Sequence, residues 1–456
     1  MQKDIKSELF LQDGSKICVI GGGPAGSFFS FFALELALKK GINIEIDIYD
    51  PKDFSLKGSP GCNHCGGVVS ESLVHMLSAD GIILPEQVIR RGIETYTLHL
   101  ENGSTMIEAP KYEQRIVSMF RGSGPNGSEA SDIQSFDGFL LELCTNKGAV
   151  LIHERVTDVL TEPTGITVIT SKSKKKYDLV VGAGGLNDQT LSLFKKLIPA
   201  FIPPETAQTH ISEYFLDKET IDKHFGNSMH VFLLNLPGIK FGALIPKGDY
   251  VTLVLLGSKI KRKMIDRFLN SESILACFPE GTELKDIKPC QCSPYINIRN
   301  GKHLYRDRVV LIGDSSSSKL YKNGIGAAYL TARAAALTAV SVGISRKDFK
   351  KSFQPVCSKL NADNVAGKLI FFITTIIQRS HFLKKVIFRM VVKEQKKAKG
   401  KREMSSLLWD TFTGSASYRN ILWRSVNLLL LAKLAWKMLA GLFNISKGPT
   451  SEMKRS

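Results

Sequence analysis

The sequence has no run of about 20 apolar residues, the length needed to span a bilayer. Its two strongest apolar stretches, Leu369 to Gln378 and Ser425 to Ala432, are each cut short by Lys or Arg, so no transmembrane segment is expected. Met1 to Leu11 carries Lys and Asp and lacks an apolar h-region, so no secretory signal is expected. A cytoplasmic location follows as the expectation, and in that compartment most of the eight cysteines would stay unpaired thiols. Neither a disordered nor a fibrous composition is present, since 43% of the 456 residues are hydrophobic and 23% charged. That length supports two to four lobes.

Net charge is also missing from most of the chain. The net charge of +18 sits almost wholly between Arg346 and Ser456, where 23 Lys/Arg face 6 Asp/Glu. A nearly neutral body with a basic tail assigns chemistry to the body and location or partner choice to the tail.

The clearest local signal begins at Lys16. Ile17-Cys18-Val19-Ile20 reads as a strand, Gly21-Gly22-Gly23-Pro24-Ala25-Gly26 as a glycine turn, and the stretch to Lys40 as a helix. In such a unit Gly21 makes the tight turn, Gly23 lets a pyrophosphate approach the backbone, and Gly26 lets helix and strand pack closely. The helix N-terminus then faces the phosphates. A second strand, Ile44 to Tyr49, ends in Asp50, 24 residues beyond Gly26, where a carboxylate can accept both ribose hydroxyls of an adenosine. These residues predict a dinucleotide site and leave NAD and FAD open.

Two further strands end in glycine turns: Tyr177 to Gly182 before Ala183-Gly184-Gly185, and Arg308 to Ile312 before Gly313-Asp314, with Asn323-Gly324-Ile325-Gly326 beyond. The order of these motifs resembles the flavoproteins of the geranylgeranyl reductase and p-hydroxybenzoate hydroxylase superfamily over about residues 15–345. The resemblance implies FAD as cofactor. Gly21, Gly23, Pro24, Ala25, Gly26 and Asp50 would hold its ADP half, Gly313 and Asp314 its ribityl chain, and Gly324, Ile325 and Gly326 its pyrophosphate and flavin. It also implies an α/β fold: a discontinuous Rossmann-like FAD-binding domain (12–84, 129–187, 301–345), an antiparallel β-sheet substrate domain (85–128, 188–300) and a basic helical C-terminal region (346–456).

Some positions depart from the family pattern. Its Gly-Asp-Ala-Ala becomes Gly-Asp with Ser315 and Ser316, and a proline three residues before its glycine turn becomes Tyr321. The arginine it carries three positions before a Phe-Asp pair becomes Ile133 here, before Phe136-Asp137, and Arg121 is the candidate replacement. No second strand, GxGxxG and helix unit is present, so electrons are expected from a transiently bound NAD(P)H or from a redox partner.

The loop from Gly58 to Val68 contains Cys62-Asn63-His64-Cys65-Gly66-Gly67. Geranylgeranyl reductases carry a similar Cys-Gly-Gly beside the isoalloxazine, which makes Cys65, then His64, the candidate catalytic residues. For Cys62 and Cys65 a redox disulfide, half of a metal site and two plain thiols stay open. Cys290-Gln291-Cys292 has the wrong spacing for a partner knuckle, and no metal is expected.

His230 to Gly257 reads as antiparallel strands. Where geranylgeranyl reductases carry Tyr-x-Trp-x-Phe-Pro, and flavin halogenases Trp-x-Trp-x-Ile-Pro, this chain has Phe241, Ala243, Ile245 and Pro246. A greasy pocket lined by Phe241, Leu244 and Ile245 is expected, suiting an apolar or lipid substrate. Three functions follow: an FAD-dependent oxidoreductase reducing a carbon–carbon double bond of an isoprenoid-like substrate; a flavin monooxygenase or epoxidase; or a non-catalytic flavoprotein that senses redox state or transfers electrons. In the tail, Leu369 to Val392 and Ile421 to Phe443 mix apolar faces with basic residues, which suits either an anionic membrane surface or a helical lid packed on the body. No nucleic-acid motif accompanies the charge.

Overall fold

The computed structural model describes residues 9–63, 66–110, 116–126, 133–257, 259–282, 284, 287 and 289–426. Five parallel strands lie side by side in the order Val150–Ile152, Ile44–Tyr49, Ser15–Ile20, Leu179–Gly182 and Val309–Leu311, with Tyr305–Arg306 antiparallel at the edge. Parallel strands are covered on both faces, so their central residues are apolar. Accordingly Ile17, Cys18, Val19, Leu179, Val180, Val309 and Val310 are fully buried.

The helices Pro24–Lys40 and Gly324–Ser341 pack against each other on this sheet through Phe28 and Phe32, each edge-on to Tyr329 at 5.6 Å. The strand order reverses between Ser15–Ile20 and Leu179–Gly182. Such a reversal opens a crevice at the carboxyl ends of the strands. Tyr177, expected to open the Leu179–Gly182 strand, instead ends Lys174–Tyr177 in a separate three-stranded meander with Asp158–Glu162 and Gly165–Ile169.

The second large sheet has seven strands in the order Cys290–Cys292, His210–Phe215, Tyr250–Gly257, Ile239–Lys247, Ser228–Phe232, Thr95–Leu100 and Gly103–Glu108. It is antiparallel except for one pair: Ser228–Phe232 runs parallel to Thr95–Leu100. That pair joins segments far apart in the chain, so no hairpin forces it to be antiparallel. One face packs on the helix Arg262–Leu269, where Phe268 lies edge-on to Phe232 at 5.5 Å. Leu244, expected in the pocket, is on this core face with Leu253 and Leu255. Strand residues alternate faces, so Leu244 points away from its neighbours Ala243 and Ile245.

The basic region folds onto the body. Its helices Gln354–Arg379, His381–Gln395, Glu403–Thr413 and Tyr418–Ser425 bury Leu360, Phe371, Val391, Trp409 and Tyr418. Gln378 Nε2 donates to the carbonyls of Leu234 and Lys240, each at 2.8 Å. Arg402 pairs with Glu108 at 2.8 Å, and Lys384 with Glu101. Over residues 346–426 the lid reading therefore describes the structure, while Lys433, Lys437 and the rest of the stripe to Phe443 lie outside the described residues. Among the described residues one helical run, Arg346–Arg379, is long and apolar enough to cross a membrane by length and composition, yet one of its faces is packed on the protein.

A Cβ on Gly26 would sit 1.9 Å from the Gly21 carbonyl oxygen, whereas one on Gly92 would meet nothing within 4 Å. Gly26→Ala is therefore expected to cost about 1–3 kcal/mol through overpacking. Gly92→Ala should stay within about 0.5 kcal/mol of the parent. Urea unfolding of both variants checks this.

Candidate functional site

The crevice at the strand ends is one mouth of a cavity of about 840 Å3 that continues under the second sheet. Gly21, at φ +114°, turns the chain so closely past the next strand that a Cβ would lie 2.5 Å from the Ala183 carbonyl oxygen. The helix Pro24–Lys40 starts at Gly23 with no capping side chain and no acid in its first turn. Its N-terminal amides are thus left for an anion, at the end of the helix that carries about half a positive charge. Gly21, Gly23, Pro24 and Ala25 line the cavity, while Gly26 serves the helix–strand contact.

Asp50 also lines the cavity, at the end of Ile44–Tyr49. Its Oδ2 accepts the Gly22 N–H at 2.7 Å and its Oδ1 the Lys52 N–H at 2.9 Å. These bonds hold the carboxylate in place and leave each oxygen a further lone pair for a hydroxyl donor. Burial raises the acid above its usual carboxylate range, opposed by the two amide bonds.

A charged cluster stands before the same helix. Arg121 binds Asp137 with two bonds, Nε to Oδ1 at 2.9 Å and Nη2 to Oδ2 at 2.6 Å. Asn63 Nδ2 donates to Asp137 Oδ2, and Lys52 Nζ donates to Asn63 Oδ1 at 2.9 Å and to the Cys62 carbonyl at 2.6 Å. Asp137 is fully buried, so it acts as the fixed anchor of the cluster, with Arg121, Asn63 and Lys52 reaching the cavity wall. Arg121 thus makes the contact with the Phe136-Asp137 pair for which Ile133 has no functional group. Asp137 was named in the sequence only as part of the Phe136-Asp137 pair, and Lys52 and Asn63 were given no role there, because only folding brings these distant segments together.

Gly313 and Asp314 follow Val309–Leu311. Gly313 lies at φ +62°, where a Cβ would meet that of Ala25 at 2.6 Å, and Asp314 lines the cavity. The helix Gly324–Ser341 begins at Asn323, whose side chain accepts the Gly326 N–H at 3.0 Å, again with no acid in the first turn. A Cβ on Gly324 would be 3.6 Å from Asp314 Oδ1, so the two motifs meet at one place. Gly324 and Ile325 line the cavity, whereas Gly326 packs against Asn323. Ala183, Gly184 and Gly185 line the same cavity.

The far end of the cavity is apolar. Phe241, Ala243, Ile245, Val254, Leu256, Met229 and Val231 form its floor from the second sheet, and Phe412 and Thr413 close it from the C-terminal helices. His64 and Cys65 lie outside the described residues. Asn63 and Gly66 both line the cavity, and a Cβ on Gly66 would sit 3.1 Å from Val254, so Gly66 itself stands against the apolar floor.

Two lysines lock the wall in place. Lys319 Nζ donates to the Ala416 carbonyl at 3.1 Å, and Lys322 Nζ to the carbonyls of Asp410, at 3.0 Å, and Thr411. Lys322 thereby adds a cationic donor at the C-terminal end of the helix Glu403–Thr413, where the Asp410 carbonyl also accepts the Gly414 N–H at 3.2 Å. Both amino groups stand over the ring of Tyr418, at 5.6 and 4.8 Å. Burial holds both ammonium groups below the ordinary lysine value, Lys322 well below, with Lys319 adding to the effect on Lys322.

No protein-family model and no curated protein matches the sequence. Solved structures do match. A geranylgeranyl bacteriochlorophyll reductase-like protein from Thermoplasma acidophilum superposes with a TM-score of 0.65 at 14% identity, covering 91% of this chain and 99% of its own. The chain has this fold. The p-nitrophenol 4-monooxygenase of Pseudomonas putida DLL-E4 gives 0.58 at 12% identity (88% and 99% covered). The halogenase PltM in complex with phloroglucinol and FAD gives 0.58 at 12% (95% and 93%). At these identities the likeness is one of fold.

The lowered lysines carry a pH signature. Between the folded pKa of Lys322 and the ordinary value of about 10.4, the unfolded chain binds the extra proton, so this group makes stability rise with pH across that window. Lys322→Met should remove that contribution, leaving a flatter rise between pH 7.5 and 9.5 than the parent in urea unfolding.

Proposed function

We propose that the protein is an FAD-dependent oxidoreductase that reduces a carbon–carbon double bond in an apolar, isoprenoid-like substrate. The observation that carries this reading is one continuous cavity, which joins two helix N-termini free of acids, with Asp50 and Asp314 beside them, to a floor of aliphatic and aromatic side chains. These residues fit the two halves of FAD: amides of the Gly23 turn and Arg121 suit the pyrophosphate, Asp50 the ribose, and Asp314 the ribityl hydroxyls. Bound FAD supplies hydride and electron transfer. Phe241, Ile245 and Val254 hold an apolar substrate and keep water from it, and Phe412 closes the space. Cys65 and His64 are the proposed groups that place and protonate the substrate. Electrons come from a transiently bound nicotinamide or a redox partner.

The p-nitrophenol 4-monooxygenase shares the fold with this chain. That likeness supports monooxygenation as the second reading.

The test is anaerobic. Protein loaded with FAD and reduced with dithionite is mixed under nitrogen with unsaturated polyprenyl lipids, and the flavin spectrum is followed. The expected result is substrate-dependent reoxidation with a product two hydrogens heavier. No reoxidation under nitrogen, with substrate-coupled oxygen uptake in air, would establish the second reading instead. Asp314→Ala should weaken FAD binding at least about tenfold, or ~1.4 kcal/mol.

We also propose that the protein works at the cytoplasmic face of an anionic membrane. Val365, Leu369, Phe372, Ile373 and Ile376 form an exposed stripe on Gln354–Arg379, Val365 being 70% and Phe372 62% exposed. Lys368, Arg379, Lys385 and Arg389 are exposed on this and the following helix. Each well-placed cation adds about 1 kcal/mol at an anionic surface. Co-sedimentation with phosphatidylserine vesicles should exceed that with neutral vesicles, fall with salt, and drop in Phe372→Asp. Equal recovery on both vesicle types would refute this location.

A further inference from the structure

Outside the cavity, three donor atoms converge in the core behind the second sheet. His99 on Thr95–Leu100 and His230 on Ser228–Phe232 lie on neighbouring parallel strands, with His99 registered opposite Phe232 and His230 opposite Thr97. Both therefore project from the same face. Cys277 follows the short helix Glu272–Leu275 and meets them from the layer that covers this face. His99 Nε2 lies 3.0 Å from His230 Nδ1, and Cys277 Sγ lies 3.3 Å from His230 Nδ1 and 3.8 Å from His99 Nε2. All three residues are buried, and none lines the cavity.

We propose that His99, His230 and Cys277 form a structural site for a thiophilic metal ion, zinc first. Bonds of about 2.0–2.1 Å to nitrogen and 2.3 Å to sulfur in a tetrahedral shell place neighbouring ligands about 3.3–3.6 Å apart, the range that the three measured separations straddle. Two imidazoles and a thiolate select zinc or copper over the hard oxygen-binding cations. Ser104 Oγ sits 2.7 Å from His99 Nδ1 and can hold the proton of that nitrogen, leaving the Nε2 lone pair to face the triad. A partner of this kind orients metal-binding imidazoles generally. Phe232 stacks on the His99 ring at 4.3 Å, and Phe225 flanks His230 at 5.1 Å, which keeps the surroundings dry.

The protonation states set the stoichiometry of binding. Burial lowers His99 to about 4 and His230 to about 3, so both rings are neutral at pH 7 and ready as ligands. Burial raises the Cys277 thiol to about 12, so without an ion it keeps its proton, directed at the Ser273 carbonyl at 3.3 Å. Entry of one divalent ion forms the metal–sulfur bond and releases that one proton to solvent, with no change of oxidation state. The site ties two strands to the helical layer and plays no part in the reaction at the cavity.

The test uses the full chain purified without chelators. Elemental analysis should find zinc or copper in stoichiometric amount in the parent and in Cys290→Ser, and a loss of at least tenfold in Cys277→Ser and His230→Gln. Protein made in cobalt-supplemented medium should show a thiolate-to-cobalt charge-transfer band, a readout that does not depend on any variant folding. The proposal is overturned if the parent holds no stoichiometric metal and the cobalt protein lacks this band, or if Cys277→Ser keeps the metal.

Discussion

Position 21 can only be glycine if the chain is to leave Ser15–Ile20, pass within contact of Ala183 and enter a helix three residues later. That close approach brings the carboxyl ends of two central strands together where the strand order reverses. The other parts of the site take their positions from it. Asp50 reaches back to hold the Gly22 amide, Ala25 packs against Gly313, and Gly313 carries Asp314 to the foot of the second glycine-turn helix. Three segments far apart in sequence are thus registered against one another by contacts that leave no room for a Cβ. A geometry of this kind is rigid because close-packed backbone cannot deform gradually.

The two ends of the cavity are built by opposite physical rules. At the sheet end, polar groups are fixed by one another: Asp137 is buried without cost in unpaired charge because Arg121 binds it with two bonds and Asn63 with a third. At the far end the floor offers almost only carbon, so affinity there comes from apolar area removed from water and specificity from shape. A ligand with one charged and one apolar part therefore has only one orientation in which both halves are satisfied.

The C-terminal helices complete this enclosure. Lys319 and Lys322 bury their amino groups against backbone carbonyls at the end of Glu403–Thr413, and Gln378 does the same for two carbonyls at the edge of the second sheet. The region that looks in sequence like a basic appendage is thus packed on the body over residues 346–426, and it gives Phe412 and Thr413 to the cavity wall. Its charge is uneven in use: Lys384 and Arg402 are spent on Glu101 and Glu108, while Lys368, Arg379, Lys385 and Arg389 remain at the surface beside the apolar stripe.

The first strand, glycine turn and helix, and the strand that ends at Asp50, were legible residue by residue, because glycine turns and strand periodicity are local and steric. The same holds for Gly313-Asp314 and Gly324, and for the alternation that puts Phe241, Ala243 and Ile245 on one face. Leu244 was misplaced because the expected pocket drew on both faces of one strand, and alternation puts Leu244 opposite Phe241 and Ile245. The parallel pairing of Ser228–Phe232 with Thr95–Leu100, the joining of Lys52, Asn63, Arg121 and Asp137, and the meeting of His99, His230 and Cys277 left no local trace. Where the chain turns, and which stretches form strand or helix, could be read from residue order alone, since these depend on neighbours within a few positions. Which distant groups share a space, and what the basic tail covers, emerged with the fold, since such contacts depend on packing between segments that the chain order does not bring together.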